Sequence, residues 1–374
     1  MHRVVSDVSF VLGIAAAAIP MAVGVSVGAQ QGNADRFVQS RSLEQPQPSA
    51  RSIPLPAGNP LEVLPVSGNV YLIAGGASNV AVQIGDEGVL VVDPATEDLS
   101  GKVLEAIRAL SGGPISYIID TTSDRDHYGG NARVGQAGVN PTVAPPGLSG
   151  PGVLPENNPD GGGGNNPPQL RPSGAIVISH ESVLNRMSAA PTTEPFEMWP
   201  TNTFFTAKKT MWFNDEPIEL LHTPAAHTDG DVLVFFRRSD VVVVGDAIDT
   251  LRYPTFDVSR GGSMRGILDS LNRVIDLTVP RFNQQGGTRV VPGHGRILNE
   301  ADVVEYRDMM TIVYDRIKKG ADEGKTLAQV TATGPTLEYD GLYSTPAWTG
   351  AMLTKAIYEE VRGAAAPARS SAAR

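Results

Sequence analysis

Four times along this chain an apolar run stops on a short polar turn that carries a metal-ligand type of residue beside glycine or proline. Ile115-Ser116-Tyr117-Ile118-Ile119 leads into Asp120-Thr121-Thr122-Ser123-Asp124-Arg125-Asp126-His127-Tyr128-Gly129-Gly130-Asn131. Ile218–His222 leads into Thr223-Pro224-Ala225-Ala226-His227-Thr228-Asp229-Gly230-Asp231. Val241–Val244 ends on Gly245-Asp246, and Val290-Val291 on Pro292-Gly293-His294-Gly295. Apolar runs bounded by Gly or Pro read as buried strands. Carboxylates and imidazoles at strand ends set metal donors along one edge of a sheet. The chain has six His, and three of them (His127, His227 and His294) fall in these turns, which argues for a shared site.

As a set and in this order, the four segments resemble the metallo-β-lactamase superfamily. That family's first motif is His-x-His-x-Asp-His followed by Gly-Gly. Its later ligands come from a Pro-x-x-His-Thr loop, a Gly-Asp after a strand, and a Pro-Gly-His-Gly. The resemblance covers about Leu61 to Val361 and implies an α/β chain folded as a four-layer αββα sandwich. It implies that Asp126, His127 and His294 hold one metal, with Asp246 as a fourth ligand or bridge, and that His227 belongs to a second position.

The first motif departs from the family pattern. Thr122 and Asp124 stand where the family has its first two His, so one metal position is intact and the other is damaged. Asp124 has two readings: a carboxylate ligand in place of imidazole, as in the flavodiiron branch, or a solvated carboxylate paired with Arg125. His227 has three: ligand of a second ion, base, or hydrogen-bonding residue. Thr122 is a poor ligand and is expected to hydrogen-bond locally. His180 opens a helix and is expected to bond there. His222 reads as a satisfied core residue. Trp199, Phe204, Phe205, Trp212 and Phe213 read as an aromatic cluster between the two halves, packing the core.

Composition narrows the function. Acidic residues outnumber basic ones, 40 to 30, for a net charge of −10. Nucleic acid wants a basic face, so the nucleic-acid-cutting branches are disfavoured. There is no Cys, which excludes disulfides, thiolate ligands and a lipid-anchored Cys. Hydrophobic residues make up 41% of the chain, enough for a substantial core.

Residues 1–29 read as a secretory signal: Arg3 in the positive region, an apolar stretch from Val8, and Val27-Gly28-Ala29 as the cleavage site. The other reading is an uncleaved membrane anchor, which is also the only membrane contact expected. Either way the folded part is exported, to the periplasm or the cell exterior. Residues 30–60 form a Gln-, Ser- and Pro-rich linker, residues 61–362 the domain, and residues 363–374 an unstructured Ala/Ser tail. Of the 35 residues from Asn140 to Gly174, 22 are Pro, Gly or Asn; this stretch reads as an insertion, on the side away from the metal. Strands are expected from Leu61 to Asp93, at Ile115–Ile119 and Ala175–Ser179, and again from Phe204 to Val244. Helices are expected at Asp98–Leu110, Glu181–Met187, Ser263–Ile275, Asp302–Lys319 and Trp348–Arg362.

The resemblance implies a metal-dependent hydrolase acting on an ester, lactone or amide bond of a small molecule, a β-lactam among them, and residues 1–29 imply that it is exported. Zinc is the expected ion, one at the intact position and a second at most; the carboxylates would also suit iron or manganese. The ion would lower the pKa of a bound water to about 7 and so supply hydroxide. Asp126 sits at the intact position, and Asp124 or His227 would position or deprotonate that water. The alternative is a non-catalytic binding protein on the same fold, with a site that holds one metal or none.

Overall fold

The computed structural model describes residues 53–142, 174–189, 194–279 and 287–370, with side chains to residue 363. The expected signal segment, most of the linker and the body of the 140–174 insertion lie outside the described residues.

Seven strands form the first sheet, the inner ones apolar and largely β-branched: β1 (Glu62–Ser67), β2 (Val70–Ala74), β3 (Val80–Gly85), β4 (Gly88–Val92), β5 (Ile115–Ile119), β6 (Ile176–His180) and β7 (Asn202–Phe204), in that spatial order. The first four pair antiparallel across tight turns. From β4 to β7 the pairing is parallel, and a parallel step needs a crossover that carries the chain back to the starting edge. Helix α1 (Ser100–Leu110) supplies it after β4, α2 (Arg125–Tyr128) and α3 (Asn131–Gln136) after β5, and α4 (Glu181–Ser188) after β6. Each of these crossovers begins at the C-terminal edge of the sheet, so that edge collects the polar turns.

The second sheet runs in the order β12-β11-β10-β9-β8, from β8 (Lys208–Phe213), β9 (Glu216–His222), β10 (Val232–Phe236), β11 (Val241–Asp249) and β12 (Arg289–His294). Helix α5 (Met264–Leu277) links the parallel pair β11 and β12 and lies on β11. Helices α6 (Glu300–Asp322), α7 (Leu327–Ala332), α8 (Asp340–Tyr343) and α9 (Gly350–Ser370) complete the chain, with α6 packed on α5 and α9 on α6. Among the described residues no helix is long and apolar enough to cross a membrane.

Side chains alternate across a strand, so each sheet has two apolar faces to cover. The inner faces meet in one core, where Leu72, Leu90, Val92 and Ile119 of the first sheet face Leu220, Val234, Phe236 and Val243 of the second. The outer face of the first sheet packs Val82, Val91 and Ile118 against Val103 and Ile107 of α1 and Val134 of α3. Helix, sheet, sheet and helix thus stack as the expected αββα sandwich. At the edge away from the polar turns a buried carboxylate ties the sheets together. Glu216 Oε1 accepts from Gln83 Nε2 at 2.6 Å and Ser239 Oγ at 2.8 Å, and Oε2 accepts from the Arg238 and Ser239 amides at 2.9 and 3.0 Å.

Several boundaries differ from the sequence expectation. Order begins before residue 61: Ile53 bridges Val63, and Asn59 Nδ2 donates to Lys102 O at 3.0 Å. Helix α9 continues past Gly363 to Ser370, because the alanines there are the strongest helix formers. The aromatic cluster is dispersed. Phe204 and Phe213 are core residues, Phe205 and Trp212 are 75% and 71% exposed, and Trp199 packs with Phe196. The described flanks of the 140–174 stretch lie where expected. The Val139 amide donates to Ile115 O, at the start of β5, and the Ala175 amide to Gly135 O. Both anchors are at the opposite edge from the Asp120–Asn131 turn.

A candidate metal centre at the strand ends

Strand β5 delivers the turn Asp120–Asp124, and the one-turn helix α2 that follows presents Asp126 and His127. Gly130 allows the chain to pass close to the segment that follows β4, since a Cβ there would lie 2.2 Å from Pro94 O. His227 comes from the loop between β9 and β10. Asp246 sits within β11 rather than after it, because the strand runs on to Asp249 through a bulge at Gly245. Gly245 has φ +50, and a Cβ there would meet Thr121 Oγ1 at 2.5 Å. The bulge re-aims the next side chain, which turns Asp246 into the site. His294 closes β12.

All the predicted ligands meet. Asp126, His127 and His294 form one group, and Asp124, His227 and Asp246 another, the donor atoms of each lying within 4.8 Å of one another. Asp246 joins the two. Its Oδ1 lies 3.1 Å from both His127 Nε2 and His294 Nε2, and its Oδ2 3.6 Å from His227 Nε2. Asp126 Oδ2 is 3.5 Å from His294 Nε2. His127, His227, His294 and Asp246 are buried, while the Asp124 and Asp126 side chains keep 23% and 31% exposure. The centre therefore opens to solvent on its carboxylate side.

The other ring nitrogens are fixed. His127 Nδ1–H donates to Asp93 Oδ2 at 2.9 Å, and His227 Nδ1–H donates to Thr255 O at 2.8 Å. A carbonyl oxygen can only accept, so His227 is held with Nε2 toward the site. The Asp93 carboxylate does the same for His127. Neither Asp93 nor Thr255 stood out in the sequence. For Asp93 the signal was present: Val89-Leu90-Val91-Val92-Asp93-Pro94 has the same grammar as the other four segments. Thr255 acts through its backbone, to which sequence is blind.

Without a cation these groups polarise one another. Burial disfavours charge on His127, but Asp246 and Asp93 outweigh it and hold the imidazole well above its ordinary range. Burial likewise opposes charge on His227, and Asp124, Asp246 and Asp231 raise it to about 10. Asp246 is held well below the carboxylate range, since the imidazoles outweigh its burial. The site thus favours positive charge where the Nε2 atoms converge. His294 Nε2 is buried without a hydrogen-bond partner, although two carboxylate oxygens lie near. Such an orphaned donor atom fits a metal ligand better than a hydrogen-bonded residue. Three imidazoles and three carboxylates suit a divalent zinc, iron or manganese ion.

In the damaged half Asp124 stands with the possible donors His227 and Asp246, and its other reading, a pair with Arg125, is overturned. Asp124 does not pair with Arg125, which reaches Glu194 at 2.7 Å instead. Asp124 Oδ2 lies 2.6 Å from His227 Nε2, and Oδ1 accepts from Arg260 Nη1. Burial opposes its charge, yet His227 and Arg260 lower its pKa to about 2. Arg260 had no signal in the sequence. It arrives from a 3-10 turn, Val258–Arg260, far along the chain. Thr122 is fully buried, and its hydroxyl makes no hydrogen bond among the described residues, so the expected local bond is not seen. His180 caps α4, its Nδ1 accepting from Ser182 N at 3.3 Å. Its ring stacks on His222 with centroids 3.7 Å apart, and His222 Nε2–H donates to Asp229 O at 2.9 Å. Neither residue joins the centre.

Fold and donor set together define a metal-centre protein of the αββα class. The chain matches the metallo-β-lactamase superfamily model over residues 64–294 and belongs to that superfamily. Among solved structures, it is 15% identical to a metallo-β-lactamase from Pontibacter korlensis, covering 67% of this chain and 99% of that one at a TM-score of 0.48. It is 13% identical to the stereoselective inverting sec-alkylsulfatase Pisa1 from Pseudomonas sp., covering 80% of this chain and 50% of that one at a TM-score of 0.54. This chain thus spans about half the length of the alkylsulfatase. The likeness to the alkylsulfatase speaks to the shared fold alone. No curated protein matches the chain.

Proposed function

We propose that this protein is an exported metal-dependent hydrolase of a small-molecule ester, lactone or amide. The observation that carries the reading is the convergence of His127 and His294 Nε2 on Asp246 Oδ1, both at 3.1 Å. Asp126, His127, His294 and Asp246 would hold one zinc ion. When bound, such an ion acidifies water and polarises an electrophile.

The chain's own residues do the rest. Asp93 and Thr255 fix which nitrogens of His127 and His227 face the centre. His227 Nε2 and Asp124 Oδ2, 2.6 Å apart, share a proton at the edge of the site and offer a place to hold it during hydrolysis. Asp126 is the most exposed carboxylate of the set, positioned to orient an incoming water. The buried imidazoles keep the inner side dry, where polar interactions are strongest.

The export reading rests on residues 1–29 and is tested by fractionating cells that express the whole chain. The hydrolase reading is tested with a panel of lactones, aryl esters, a sulfate ester and nitrocefin, before and after chelation. Activity on at least one substrate, lost on chelation and in Asp126→Ala and His294→Ala, is the expected result. Activity indifferent to all three changes refutes it, and a metal-binding chain with no hydrolysis of any class favours a binding role.

A further inference from the structure

The Asp124–His227 half of the centre contains a cation of its own. Arg260 Nη1 donates to Asp124 Oδ1 and also lies 3.2 Å from Ser123 Oγ, while its Nε donates to Asp257 Oδ2 at 2.8 Å. The guanidinium is therefore gripped from two sides, and a forked, always-charged group suits such a grip. The turn that carries it is bound to the His227 loop. The Asp257 amide donates to His227 O, and the Asp229 amide to Arg260 O, each at 2.9 Å. Gly262 lets the two segments touch: a Cβ there would lie 2.1 Å from His227 O. One short segment thus orients His227, through Thr255, and places Arg260 on Asp124.

We propose that Arg260 is the resident cation of this half, closing it to a second metal ion, so that the chain takes a single divalent ion at Asp126, His127, His294 and Asp246. Charge argues for this. The guanidinium is fixed on Asp124 from one side and on Asp257 from the other, so it stays beside any ion placed between Asp124 and His227. A second divalent ion there would stand next to that fixed cation, in a part-buried site where like charges are poorly screened. Ligand count agrees. Thr122 supplies no imidazole, so the second position has only Asp124 and His227 to itself, and Asp124 already has an oxygen committed to Arg260. The substitution of Asp124 for an imidazole is thereby matched by a positive partner elsewhere in the chain.

The inference rests on the metal-centre reading, and metal content separates the two. Wild type, Arg260→Gln and Arg260→Lys are dialysed against zinc and then against metal-free buffer, and zinc per chain is measured by elemental analysis. The expected contents are one equivalent in wild type and in R260K, which keeps the charge, and two in R260Q. Two equivalents in wild type, or one in R260Q, overturns the inference while leaving the metal centre standing. No zinc in any of the three overturns both. Should R260Q not fold, crystals of the zinc-loaded wild type decide: density for an ion between Asp124 and His227 overturns the inference. A single ion with Arg260 still on Asp124 supports it.

Discussion

Replacing Asp93 by Asn tests whether the centre depends on a residue that touches no metal. Asp93 is buried and accepts three hydrogen bonds: from the Thr121 amide at 2.8 Å, Thr121 Oγ1 at 2.6 Å and His127 Nδ1 at 2.9 Å. Its φ is +58, a conformation that Asn tolerates as well as Asp does. The exchange therefore leaves the backbone alone. The Asn oxygen keeps the Thr121 amide, and the new NH2 group then faces His127 Nδ1–H, donor against donor. His127 escapes by moving its proton to Nε2, which occupies the lone pair needed for the metal. Loss of such an orienting partner costs about 10- to 100-fold in metal affinity, or about 1.4–2.7 kcal/mol. Zinc competition against a chromophoric chelator reads this directly, and thermal melting of the metal-free proteins checks that the fold is intact. An unchanged zinc affinity in a folded Asp93→Asn protein refutes the argument that Asp93 sets the His127 tautomer.

Three further predictions concern the surroundings of the centre. Gly293→Ala places a Cβ 2.6 Å from Asp246 Oδ1, so it displaces that carboxylate, and zinc content should fall while the protein stays folded by circular dichroism. Burial and the facing His222 lower His180 from 6.5 to about 4. The unfolded chain therefore binds more protons between these values, and the stability that neutral His180 contributes is complete above 6.5 and lost as pH falls toward 4. His180→Phe should flatten the pH dependence of the urea-denaturation midpoint across that window; an unchanged slope counts against it. Replacing residues 143–173 by a short linker should leave zinc content and melting temperature nearly unchanged, because both anchors lie at the edge opposite the centre and a shorter loop is cheap to close. A large loss of zinc from the folded deletion variant would contradict this.

Much of this protein is written locally in its sequence. The strands are legible because β-branched runs bounded by Gly, Pro and Asn permit little else, and the helices because their apolar residues recur on one face. The ligands are legible for the same reason: Asp126, His127, His227 and His294 each follow a strand end, where the backbone must turn and side chains are free to converge. What the sequence left open was every interaction between segments distant in the chain. It offered Arg125 as the partner of Asp124, since Arg125 is adjacent, but adjacent side chains on a helix start diverge, and Arg125 turned to Glu194. The partner is Arg260, more than a hundred residues on, delivered by a turn whose course depends on how it packs against the His227 loop. Nor did the sequence reveal that Gly245 bulges β11 to aim Asp246, or that Asp93 and the Thr255 carbonyl choose the nitrogens of His127 and His227. Residue types and local periodicity fix which donors arrive at the sheet edge; only the packing of the two sheets decides which charge stands beside which.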